Sequence, residues 1–146
     1  MKKLVVSLSV VLLSAALAWG GYALWAEGEK RRIVTVADEL QVPEEWTRIS
    51  DLTVPPRLFC VGGACPLVQR VYRAPDNLST SAFRYLFSSS GWELTLESAC
   101  EPRPNGGEML ASCSAFGSVQ GYDVVAYYRS TSAKPGSAVL SVHSQK

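Results

Sequence analysis

The chain has 146 residues, 47% of them hydrophobic and 18% charged, with 14 Lys and Arg against 13 Asp and Glu. This length holds one domain, or a domain with an appendage, and this composition excludes a chain disordered throughout. The near balance of charge excludes the strongly basic face that neutralises phosphates, so no nucleic-acid partner is expected.

The first element is a membrane segment. After the basic start Met1-Lys2-Lys3, residues 4–26 (LVVSLSVVLLSAALAWGGYALWA) carry no charged side chain. As a helix the stretch reaches roughly 35 Å, enough to cross a hydrocarbon core of about 30 Å. Trp19, Tyr22 and Trp25 crowd its end, where amphipathic rings favour the membrane–water interface. A retained signal anchor is the favoured reading. A cleaved signal peptide is the other, because Ala16-Leu17-Ala18 has the small residues of a cleavage site. Lys2 and Lys3 on one side oppose Lys30, Arg31 and Arg32 on the other, so basic residues alone leave the orientation tied.

Residues 27–57 read as a juxtamembrane stalk or linker. Ile33-Val34-Thr35-Val36 suits a short strand or a continuation of the membrane helix. Pro43-Glu44-Glu45-Trp46 suits the start of a helical turn, or residues 46–52 form an edge strand. Pro55-Pro56 closes the region, since the residue before a proline is pushed to extended geometry.

Residues 58–146 are expected to form the domain proper. Residues 67–73 (LVQRVYR) are rich in strand formers and end at the turn cluster Ala74-Pro75-Asp76-Asn77. A helix follows over residues 79–89, with Asn77, Ser79 and Thr80 as candidate caps and Gly91 where a left-handed residue is wanted. Its apolar stripe is Ala82, Phe83, Leu86 and Phe87. Residues 92–97 alternate, with Trp92, Leu94 and Leu96 on one face and Glu93, Thr95 and Glu97 on the other. Residues 101–107 read as a loop, followed by strands at 109–118, 122–129 and 138–143, with turns at Gln120-Gly121 and Lys134-Pro135-Gly136. The expected fold class is α+β: a transmembrane helix, then a mostly antiparallel sheet of four or five strands with one helix on one face.

All four cysteines, Cys60, Cys65, Cys100 and Cys113, follow the membrane segment. An even number in a small exported domain reads as a disulfide framework, which places the domain outside the cytoplasm. Four cysteines permit three connectivities; loop chemistry favours Cys60–Cys65 with Cys100–Cys113. Spacers of four and twelve residues, with His143 the single histidine, fit a tetrahedral zinc site poorly. No metal and no cofactor is expected.

Catalytic patterns are weak. His143 lacks a nucleophile elbow, although Asp123 is available as a carboxylate partner. Glu93 and Glu97 on one strand face are too far apart for a glycosidase pair. Cys60 and Cys65 are the candidates for thiol–disulfide exchange, against a spacer longer than redox motifs use. Asn77-Leu78-Ser79 matches a glycosylation sequon whose serine also suits a helix cap. Arg70 and Arg73 fall on opposite strand faces, which argues against an anion site with Arg84. Tyr122, Tyr127 and Tyr128 are candidates for a contact surface or for core filling on both sides of a strand. The expected function is a membrane-anchored, non-enzymatic binding or accessory domain with a protein or envelope partner. The alternatives are a redox protein and a secreted effector or inhibitor.

Overall fold

In the computed structural model of the chain, the described residues are 2–57, 66–105 and 108–144, with side chains at 9–57, 66–104 and 110–144. The first helix, α1 (Lys2–Asp38), is continuous through the uncharged stretch and beyond it. Among the described residues it is the one helix long and apolar enough to cross a membrane. Residues 9–21 are all exposed. From Tyr22 onward one stripe turns inward, through Ala26 and Glu29 to the buried Ile33, Val36 and Ala37. That three-to-four spacing is one face of a helix packed on a neighbour.

The neighbour is a seven-stranded antiparallel sheet in the order β1-β2-β7-β6-β5-β3, with β4 beside β3 on the same edge of β5. The strands are β1 (Thr47–Val54), β2 (Leu67–Ala74), β3 (Thr95–Ser98), β4 (Pro102–Asn105), β5 (Glu108–Val119), β6 (Tyr122–Thr131) and β7 (Lys134–Ser144). The second helix, α2 (Thr80–Ser88), leads from β2 to β3, which lies beyond β7, β6 and β5. Ser79 caps it by accepting from the Ala82 N–H at 3.1 Å, worth about 1 kcal/mol. Gly91, at φ +73°, closes it: its N–H donates to Ser88 O and the Trp92 N–H to Phe87 O. This double bond satisfies carbonyls at the helix end, and glycine reaches that backbone conformation without a Cβ penalty.

One sheet face carries the core. Val68 and Tyr72 of β2, Leu140 and Val142 of β7, Val124 and Tyr128 of β6 and Cys113 of β5 are buried there. Ile33 and Val36 of α1, and Phe83 and Phe87 of α2, complete the same cluster. Each large side chain so buried contributes about 1.5–3 kcal/mol. A disulfide joins Cys100, just after β3, to Cys113 inside this core. Among the described residues nothing covers the opposite face, which displays Leu52, Phe116, Val125 and Tyr127, each 39% to 48% exposed.

The ladder register defines two ends of the sheet. Val54, Leu67, His143 and Asp123 align at one end; Thr47, Arg73 and Ser137 align at the other. At the first end the Tyr22 hydroxyl donates to Pro56 O at 3.3 Å and Tyr122 donates to Glu29 at 2.7 Å. α1 therefore enters there and runs antiparallel to β1. Its last turn meets Arg70, whose side chain is 3% exposed and lies 2.7 Å from Asp38 and 3.5 Å from Asp51.

Several expectations are corrected. Among the described residues the sheet has seven strands, not four or five. Within residues 27–57, residues 33–36 continue the membrane helix rather than form a short strand, with Ile33 and Val36 in the core, and 47–54 form β1 at the sheet edge. Residues 43–46 make a single turn closed by the Trp46 N–H to Pro43 O bond, and the edge strand follows it at 47–54. The strand predicted from Trp92 begins only at Thr95, because the Trp92 N–H is taken by the helix ending. Residues 102–105, expected as loop, form β4 despite Pro102 and Pro104. Among the described residues it pairs with β5 alone, and an edge strand tolerates the missing N–H donors.

Candidate functional site

At the end of the sheet opposite Tyr22, the connection from α1 to β1 stands off from α2 and leaves a groove of about 560 Å³. Its position follows from local chemistry. α1 ends at Asp38, and a Trp46 N–H to Pro43 O bond at 3.0 Å turns the chain into β1. Gln41 N–H donates to Ser90 Oγ at 2.8 Å, fixing this segment against the end of α2. Trp46, Leu78 and Leu86, all buried, line the groove. Tyr85, 71% exposed, stands at its border with the exposed Glu44 and Glu45. No lysine or arginine is among the described residues that line it. The recess thus offers apolar contact beside two carboxylates, and its volume is that of an ordinary ligand or peptide site.

A small polar network holds the groove wall. Tyr128 donates to Pro75 O at 2.6 Å and accepts from the Leu78 N–H at 3.3 Å. Ser130 donates to Asp76 O at 2.7 Å, and the Gly136 N–H donates to Asp76 Oδ1 at 2.8 Å. The β2–α2 turn is therefore tied to β6 and β7. Buried hydroxyls so satisfied add rigidity rather than cost.

The residues singled out by sequence are dispersed. Cys60 and Cys65 lie outside the described residues. Cys100 and Cys113 are bonded to each other in the core. His143 sits directly across from Asp123, and Asp123 directly across from Ser118, on the uncovered face. The carboxylate strand is thus the middle one, which puts Ser118 and His143 two strand spacings apart, about 10 Å. A Ser-His-Asp relay needs the histidine between the other two. Glu97 accepts from Ser114 at 2.9 Å, while Glu93 precedes the strand. Arg70 is buried on the core face and Arg73 exposed on the other, so no arginine cluster forms. Tyr122 and Tyr128 fill the core, and Tyr127 alone of the three reaches the uncovered face. Ser79 of the sequon serves as the cap.

The groove itself was not read from sequence. One local signal was present: Tyr85 is an aromatic off the apolar stripe of its helix, and Ala82, assigned to that stripe, faces the groove instead. No protein-family model, curated protein or solved structure matches this chain.

Proposed function

We propose that the chain is a single-span membrane protein whose domain stands outside the cytoplasm and binds a partner without catalysing a reaction. One observation carries this reading. The helix that holds the uncharged, exposed stretch continues unbroken into a core containing the Cys100–Cys113 bond. A disulfide in the core of a domain this small belongs to an oxidising compartment, and the helix joins that domain directly to an anchor. The groove supplies the binding surface. Its apolar lining and its two carboxylates, with no lysine or arginine among the described residues that line it, are complementary to an extended peptide segment carrying aliphatic or aromatic side chains and a lysine or arginine.

Protease added to intact cells is expected to digest the domain, and alkylation without reductant to leave Cys100 and Cys113 unmodified. A photo-crosslinking residue at Tyr85 should capture a partner that one at Phe116 does not. Glu44→Lys with Glu45→Lys should abolish that capture. A shielded domain with free thiols refutes the location; capture indifferent to the charge reversal refutes the groove.

A further inference from the structure

The length of helix left free by the domain is short. Residues 4–21 make roughly 27 Å of helix, slightly less than a hydrocarbon core of about 30 Å. At the next residue, Tyr22, α1 is already in contact with the domain, through the bond from its hydroxyl to Pro56 O. Ala26, one turn further, is half-buried, and Trp19 and Trp25 on either side are 71% and 55% exposed. A span that fills the hydrocarbon therefore leaves no free helix between the lipid and the sheet. We infer that the sheet end formed by Val54, Leu67 and Ser144 rests on the lipid headgroups, with Arg57 against their phosphates.

The charges agree with this seat. Arg57 is exposed and follows Pro56 directly. Lys30 and Arg31 share Glu27, at 3.9 and 3.2 Å. Arg31 also lies roughly 13 Å further along the helix than Tyr22, beyond a headgroup layer about 5–8 Å deep. Among the described residues Arg57 is thus the cation at headgroup level, where an anionic surface attracts a basic side chain. The contacts from Tyr22 to Asp38 hold the helix against the sheet at both ends of their common length. The domain is consequently held in one orientation, with its groove on the side away from the lipid.

The inference rests on α1 spanning the bilayer, and the test separates the two. The full chain is reconstituted in vesicles of phosphatidylcholine and phosphatidylglycerol, with a photo-crosslinking residue at Leu12, Arg57 or Ala133. Lipid adducts are expected from Leu12 and Arg57 and none above background from Ala133. Adducts from Leu12 but not Arg57 mean that the domain stands clear of the bilayer, which overturns the inference. Absence of adducts from Leu12 overturns the span itself. Equal adducts from Arg57 and Ala133 mean a tumbling domain, which also overturns it.

Discussion

The buried Arg70 makes an asymmetric prediction. Its side chain is 3% exposed, whereas those of Asp38 and Asp51 are 54% and 38% exposed. Removing an acid leaves a cation buried with one weaker partner, Asp51 at 3.5 Å. Removing the arginine leaves two carboxylates that water can reach, and Asp51 keeps Arg48 at 3.0 Å. Breaking a buried pair from the side that strands the charge costs about 3–5 kcal/mol. Half-exposure of Asp38 and the remaining Asp51 contact reduce this to about 2–3 kcal/mol for Asp38→Asn. For Arg70→Met the apolar stem is kept, and the main cost is Asp38 left facing the negative end of its own helix, about 0.3–1 kcal/mol. Urea unfolding of the full chain in detergent micelles, followed by tryptophan fluorescence with disulfides intact, measures both. Asp38→Asn is expected to lower the midpoint more than Arg70→Met, and the double variant to recover most of the Asp38→Asn loss. Strictly additive losses, or a larger loss from Arg70→Met, would refute the argument that burial of the cation decides the energy.

Three further outcomes are expected. Cys100→Ser with Cys113→Ser opens a loop of sequence separation 13 and should cost about 3 kcal/mol in urea unfolding, where an unchanged midpoint contradicts the stapling role. Gly136→Ala should lower stability by about 1–3 kcal/mol, because a Cβ there runs into the carbonyls of Pro75 and Ala74; an unaltered melting temperature would show that the β2–α2 turn yields. Burial, with the Glu29 hydrogen bond adding to it, pushes the Tyr122 phenol from 10.0 up to about 12. The unfolded state therefore releases its proton first, and the stability present below pH 10.0 is lost as pH rises towards about 12. Tyr122→Phe should flatten that alkaline loss, and an identical slope in both proteins argues against a raised Tyr122 phenol.

Local chemistry determined much of this protein. An uncharged stretch long enough to span lipid, the caps at Ser79 and Gly91, and the strand-forming runs of β2, β6 and β7 are properties of neighbouring residues. They are legible wherever the chain goes. The failures have a common cause. Pro102 and Pro104 argue against a strand, and only an edge position in the finished sheet removes the penalty. Residues 27–38 look like a polar stalk because Glu27, Lys30, Arg31 and Arg32 dominate, yet the inward stripe from Tyr22 to Leu40 finds its partner only when β2 and β7 are assembled. The groove depends on two segments distant in sequence, 41–46 and 75–89, and no periodicity in either reports the gap between them. Hydrophobic spacing tells a residue to be buried but not against what. Which faces meet, how far the domain climbs along its own helix, and whether an aromatic such as Tyr85 is left at a recess were therefore decided by tertiary packing alone.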